Sequence, residues 1–196
     1  MYPNFITLIL FCIAAGFTPG PNNILGSYQG FNFGIKKSLP LIMGVTLGYT
    51  FLLIILATGL IAIFKNYPLL QLMLKILGSV FLIYLAYKIS FKNKIEQQSV
   101  ANPVNFFDTF IFQFVNPKGV IIGITTISTF IEAGSSYLLH SFIVIGVSSS
   151  VAISSITSWC LLGKFLRRFA TNEKFIQIFN YAMSFLLIVC VIMFYL

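Results

Sequence analysis

The residues with the clearest capacity to bind a ligand lie in the stretch GFTPGPNN, residues 16–23. Pro19 and Pro21 have no backbone N–H, and the residue before each proline is disfavoured in a helical conformation. A helix that reaches this stretch therefore ends with unpaired carbonyls, and one that restarts at Asn22 presents free N–H groups at its positive dipole end. Acceptors beside donors match the ammonium and carboxylate groups of an amino acid. We expect a largely backbone binding site formed by Thr18, Pro19, Gly20, Pro21, Asn22 and Asn23.

A second motif, QFVNPKG at residues 113–119, interrupts another apolar run in the same way. Lys118 lies near the middle of this run, residues 106–131, where a buried charge costs about 2.5–3.5 kcal/mol on insertion scales. That cost favours a functional role, either as the partner of a substrate carboxylate or as a group that changes protonation during the cycle. We expect the site to include Gln113, Asn116, Pro117 and Lys118.

The elements that carry these motifs must lie in a membrane. The chain is 58% hydrophobic and only 8% charged, whereas a soluble domain has about 25% charged residues. Because a membrane helix needs about 20 apolar residues, the sequence predicts six spans, at residues 5–35, 38–64, 69–91, 106–131, 137–163 and 175–196. No lysine or arginine precedes the first span, so we expect a retained helix rather than a cleaved signal peptide.

The basic residues predict the orientation of the chain. With the N-terminus outside, one outer connection holds Lys65, and the inner connections hold Lys36, Lys37, Lys88, Lys92, Lys94, Lys164, Arg167, Arg168 and Lys174. Nine against one is the asymmetry of the positive-inside rule. The net charge of +8 therefore indicates contact with anionic lipid rather than with nucleic acid. We expect both termini to lie outside.

Each half of the chain holds three predicted spans, and the first span of each half is broken by proline. An odd number of spans per half forces the halves into opposite orientations, as in the inverted repeats of secondary transporters. The sequence predicts an all-α polytopic protein with one transmembrane domain, residues 1–196, made of half-repeats at about 1–91 and 106–196 and a linker at 92–105. Glycines at four-residue spacing predict close helix packing at Gly26, Gly30, Gly34, Gly44 and Gly48.

The motif TPGPNN with the spaced glycines after it, and QFVNPKG about a hundred residues later, resemble the LysE/RhtB family of amino-acid exporters. The resemblance extends along the whole chain. Residues 17–25 and 112–130 are most similar to the cysteine/O-acetylserine exporter branch. The resemblance implies efflux of small neutral amino acids across the bacterial inner membrane, driven by protons. Threonine, homoserine or leucine are the alternative substrates.

Two functions of another class are disfavoured. An intramembrane enzyme would need a nucleophile with a base or a metal cluster, and the sequence offers one histidine and no carboxylate in mid-span. An accessory membrane protein would leave Lys118 without a role. We expect no catalytic residue, no cofactor and no metal. The expected partners are an amino acid, the bilayer, protons as the coupling ion and a second copy of the chain in a homodimer.

The orientation is testable with a tag fused after Leu196. With both termini outside, the tag is reached by a membrane-impermeant probe added to the periplasmic side of intact cells. A tag that is labelled only after the membrane is opened would contradict the orientation.

Overall fold

Helices account for nearly all of the residues that the computed structural model describes, namely residues 5–60, 68–91, 103–131, 136–170 and 173–195. This part of the chain holds seven α-helices and confirms the all-α prediction. In chain order they are α1 (Phe5–Phe17), α2 (Pro21–Ile55, followed by a π-helical turn, Leu56–Leu60), α3 (Pro68–Phe91), α4 (Phe106–Val115), α5 (Pro117–Phe130), α6 (Tyr137–Arg167) and α7 (Glu173–Met193).

Proline sets where two of these helices begin. α2 starts at Pro21 and α5 at Pro117, each with proline in the first turn. Proline suits that position because its missing N–H would have no partner inside the helix. The restart of the first broken helix therefore comes one residue before the predicted Asn22.

α2 is itself interrupted by a turn at Gly34, whose φ of 74° and ψ of 171° are not helical. We name the parts α2a, residues 21–33, and α2b, residues 35–55. A positive φ favours glycine because other residues meet steric repulsion there. Gly34 therefore has a different role from the predicted one. Within the described residues, no atom outside its immediate chain neighbours lies within 4 Å of a Cβ built on Gly34, so it forms a turn rather than a packing contact.

The described helices fit a membrane protein. Residues Pro21–Gly59, Tyr137–Arg167 and Glu173–Met193 are each long and apolar enough to cross a membrane. α4 and α5 meet the same criterion as a pair bent by 63°. Three or four spans are thus identified among the described residues, and six spans in two inverted repeats stay a prediction. Of the predicted linker, residues 92–102 lie outside the described part of the chain.

The buried apolar side chains form two clusters. The first apolar cluster joins α2a, the start of α2b, α3, α4, α6 and α7, and includes Leu25, Leu41, Phe112, Ile156 and Leu187. The second apolar cluster joins α1, the end of α2b, α5 and the start of α6, and includes Leu8, Leu53, Val120, Ile127 and Val144. The two proline breaks lie where helices of the first cluster meet helices of the second.

Glycines permit the closest helix contacts. A Cβ on Gly30 would lie 1.9 Å from the carbonyl oxygen of Cys160, and one on Gly44 would lie 2.1 Å from Thr109 Oγ1. At Gly48 the nearest atom would be the Phe110 carbonyl oxygen at 2.7 Å, and at Gly26 it would be Ile156 Cδ1 at 2.8 Å. At Gly30, Gly44 and Gly48 backbone atoms leave no room for a side chain, as expected for small-residue packing in membranes, whereas at Gly26 the Ile156 side chain would have to shift.

The two halves pack reciprocally. α1 and α2a of the first broken helix contact α6, through Gly16 against Val151 and Gly30 against Cys160. α4 and α5 of the second broken helix contact α2b and the turn after it, through Gly44 against Thr109 and Gly123 against Leu56. The broken helix of each half therefore packs against the helix that comes after the broken helix in the other half, α6 in one case and α2b in the other.

The close approach at Gly30 predicts a large effect of adding one methyl group. Gly30→Ala should lower the melting temperature of the detergent-purified protein, because relieving contact with the Cys160 backbone requires α2a and α6 to separate. Overpacking of this kind costs about 1–3 kcal/mol or more.

Gly146→Ala in α6 is the matched control, because a Cβ there meets no described atom within 4 Å. It should be neutral, or stabilising by up to about 1 kcal/mol through helix propensity. Equal melting temperatures for the two variants would contradict the packing assignment.

Candidate functional site

The first break frees carbonyls that other elements then bind. Gly20 precedes α2 in an extended conformation, with φ −172° and ψ 177°. Asn23 Nδ2 donates to the carbonyls of Gly16 at 2.9 Å and Thr18 at 3.0 Å, and Ser155 Oγ of α6 donates to Gly16 at 2.8 Å. Thr18 Oγ1 donates to the carbonyl of Ala14. The last turn of α1 is thus held by side chains where its helical partners are missing.

The second break is shorter and bends the chain. Asn116 alone separates α4 from α5, with φ −79° and ψ 102°, and the two helices meet at 63°. Its side chain is 2% exposed, and Oδ1 accepts no hydrogen bond from the part of the chain that the structure describes. An unpaired buried carbonyl oxygen is costly, about 1–3 kcal/mol. A ligand donor at this point would remove that cost.

Lys118 joins the second break to the first. Its ammonium donates to the carbonyl of Thr18 at 2.6 Å and to that of Pro19 at 3.4 Å. Glycine at position 20 leaves room for this contact, because a Cβ there would lie 2.8 Å from Lys118 Cδ and 2.9 Å from Nζ, and the lysine side chain would have to shift. A charge-assisted bond to backbone carbonyls at the end of α1 also suits the negative end of that helix dipole.

A second bridge links the breaks through neutral amides. Asn22 Nδ2 donates to Gln113 Oε1 at 2.8 Å, and Gln113 Nε2 donates back to Asn22 Oδ1 at 3.2 Å. Gln113 Nε2 also donates to the Thr109 carbonyl at 2.8 Å, which fixes the fully buried Gln113 side chain on α4. α2a and α4 are therefore joined by a reciprocal amide pair.

A cavity of about 90 Å³ lies at the meeting point of the two breaks. A single water needs about 10–15 Å³ measured in this way, so the cavity admits a small solute. The predicted site residues that line it are Gly20, Pro21, Asn22, Asn23, Gln113, Asn116 and Lys118. Thr18 and Pro19 contribute carbonyls to Lys118 instead, and Pro117 sets the start of α5.

Other lining residues were missed from the sequence. Cys12 on α1, Tyr49 on α2b, and Ser148 and Ser155 on α6 all line the cavity. Cys12 Sγ lies 3.4 Å from Ser148 Oγ, so the two are hydrogen-bonded. α6 contains several serines at similar spacing, and the sequence does not indicate which of them face the cavity. Ser155 differs from the others because the packing of α1 on α6 brings its hydroxyl to the Gly16 carbonyl.

The charge in the cavity comes from one residue. Among the described residues that line it, Lys118 alone carries a formal charge at neutral pH, and the other polar groups are amides, hydroxyls and a thiol. One cation surrounded by neutral donors and acceptors suits a ligand with one carboxylate whose remaining polar groups need hydrogen bonds.

Comparisons with known proteins identify a family and several relatives. The family model described as LysE type translocator matches residues 13–196. Curated proteins named cysteine/O-acetylserine efflux protein, from Escherichia coli O139:H28 and from Salmonella typhimurium LT2, are each 28% identical over 93% of this chain and 92% of their own length. The protein of the same name from Escherichia coli K12 is 27% identical over the same shares. No solved structure gives a significant match.

The bond from Ser155 to the freed Gly16 carbonyl gives a stability prediction. Ser155→Ala should lower the stability of the purified protein by about 1 kcal/mol, the usual contribution of such a bond. At this chain length that corresponds to a melting temperature about 2–4 °C lower.

Ser154→Ala, one residue away, removes an exposed hydroxyl that donates to the Ser150 carbonyl of its own helix at 2.7 Å. It should leave the melting temperature unchanged. If Ser154→Ala is as destabilising as Ser155→Ala, the carbonyl of Gly16 does not depend on α6.

Proposed function

The chain belongs to the LysE type translocator family, and on that premise we propose that it exports small neutral amino acids of the cysteine or O-acetylserine type. The family resemblance of the two proline motifs is thereby confirmed, and with it the assignment to multi-pass membrane transporters. The proposed substrates follow the relatives, which are named for efflux of both compounds.

The observation that carries the proposal is the position of the Lys118 ammonium at the cavity between the two breaks. An ammonium has three N–H donors, and the carbonyls of Thr18 and Pro19 accept at most two of them. A substrate carboxylate can take the remaining donor, and the N–H groups of the first turn of α2a, at Asn22 and Asn23, provide further donors and a positive dipole end.

The substrate ammonium has its acceptors at the second break. Asn116 Oδ1 is a buried acceptor with no donor from the described residues, and Asn116 lines the cavity together with Gln113. Placing the ammonium beside Asn116 and the carboxylate beside α2a keeps the like charges of the substrate ammonium and Lys118 apart. In this arrangement both breaks recognise the group that all amino acids share.

The reciprocal packing of the halves supports a transport cycle. Each half has three proposed spans, and its broken span packs against a span of the other half. This arrangement matches an inverted repeat, whose two halves rock about a central site. The six-span topology is part of this proposal, with α1 and α2a as one broken span and α4 and α5 as the other.

The basic residues support a cytoplasmic location for one end of the molecule. Phe31 of α2a stacks on Phe179 of α7 at 3.8 Å, and the Arg167 guanidinium lies 5.4 Å from the Phe31 ring. The turn between α2a and α2b, the end of α6 and the start of α7 therefore share one end of the molecule. The exposed basic residues in and next to these segments are Lys36, Lys37, Lys164, Arg167, Arg168 and Lys174. We assign this end to the cytoplasm of a bacterial cell and both termini to the outside.

The test is efflux from cells preloaded with labelled cysteine, O-acetylserine, threonine, homoserine or leucine, with and without an uncoupler. Lys118→Met should reduce efflux about 10- to 100-fold, the factor expected from losing a hydrogen bond to a charged group. We expect cysteine and O-acetylserine to be exported, and the uncoupler to stop export if protons drive it.

Lys75→Met is the matched control, because Lys75 is a second lysine within a predicted span but lies away from the cavity, 4.4 Å from the Tyr195 ring. It should insert normally and keep its efflux. Wild-type efflux by Lys118→Met at equal membrane abundance would contradict the role of Lys118.

A further inference from the structure

Two bridges cross between the halves at equivalent positions. Asn22 and Lys118 each follow the proline that opens a helix, α2 in one case and α5 in the other. Each side chain reaches the end of the helix before the opposite break: Asn22 bonds Gln113 on α4, and Lys118 bonds Thr18 after α1. The equivalence extends to position but not to chemistry, since one bridge is neutral and the other is charged.

The two bridges lie toward different apolar clusters. Lys118 joins α1 to α5, whose side chains Leu8 and Val120 belong to the second apolar cluster. Asn22 and Gln113 join α2a to α4, whose side chains Leu25 and Phe112 belong to the first. Gly20, Asn22, Gln113 and Lys118 all line the cavity, so each bridge joins, at the cavity wall, two helices that pack in the same cluster.

We propose that these bridges are the two gates of the transporter: the Asn22–Gln113 amide pair closes the cavity toward the first apolar cluster, and the Lys118–Thr18 contact closes it toward the second. This inference rests on the proposed transport function and adds to it which contacts must open in turn. Interhelical hydrogen bonds in membranes are individually weak, so each bridge can be broken and remade during a cycle.

The difference in chemistry gives the gates a direction. A carboxylate is a stronger acceptor for an ammonium than a neutral carbonyl, so a carboxylate that binds the remaining N–H of Lys118 draws the ammonium away from Thr18. The neutral Asn22–Gln113 pair offers no comparable charged group. Substrate binding therefore weakens the gate toward the second cluster first, which is the outer side if both termini are outside.

The test uses native Cys12, which lines the cavity, as a reporter in a background carrying Cys160→Ala and Cys190→Ala. The rate at which its thiolate forms a mixed disulfide, with release of methanesulfinate, is measured with the impermeant reagent 2-sulfonatoethyl methanethiosulfonate in right-side-out and in inside-out vesicles. Gln113→Met should raise the rate at least tenfold from one side only, and Lys118→Met should do so from the other side only. The reagent is an anion, so loss of the Lys118 charge cannot itself attract it.

The overturning results are equally specific. A rate that rises from both sides in either variant, from the same side in both variants, or in neither variant would show that the bridges are not separate gates. Asn22→Ala should reproduce the Gln113→Met pattern, and it carries the test if Gln113→Met does not insert.

Ser184→Ala is the matched control, because it removes a hydrogen bond between α3 and α7, 2.7 Å from Ser90, in which no cavity-lining residue takes part. It should leave both rates unchanged, and a rise there would overturn the assignment of gating to the breaks. The labelling needs no substrate. One-sided rates without amino-acid efflux would therefore overturn the proposed function alone, and efflux without one-sided rates would overturn the gates alone.

Discussion

A helix that is broken inside a membrane must find a partner for every backbone group that the break releases. Hydrocarbon offers no hydrogen bonds, and each unsatisfied group costs several kcal/mol. In this protein the carbonyls at the end of α1 are bound by Asn23, Ser155 and Lys118, which come from α2a, α6 and α5. Three helices therefore meet at one point because each supplies a donor to the unpaired carbonyls of a single turn.

The same requirement produces the site. Side chains that satisfy the first break must be polar, and Asn23, Ser155 and Lys118 form a polar part of the wall of a cavity of about 90 Å³ that is otherwise mostly apolar. The absence of a side chain at Gly20 leaves room for Lys118 beside Thr18. In the proposed function, binding and folding use the same residues, since the substrate would bind side chains that already hold the broken helices together.

The two proline breaks and the positions of most helices can be predicted from local residue chemistry and from the lengths of the apolar runs. Proline chemistry predicts that α1 ends near Phe17 and that a second break occurs at Pro117, as the structure shows. The turn at Gly34 cannot be predicted from the sequence, because glycines at four-residue spacing are equally typical of close helix packing. The Asn22–Gln113 pair joins residues 91 apart, and its choice among several amides depends on how the helices cross. Ser148 and Ser155 cannot be told apart from the other serines of α6 in the sequence, because their contacts also depend on how the helices cross.

The central claim is that the two breaks together hold the ammonium and carboxylate of one amino acid. It is tested most directly by equilibrium binding to the purified protein of labelled cysteine in competition with cysteamine, which lacks the carboxylate, and with 3-mercaptopropionate, which lacks the ammonium. The account predicts that each analogue competes about 10- to 100-fold less well than cysteine, since each loses hydrogen bonds to a charged group. Competition by either analogue at the level of cysteine itself would contradict it.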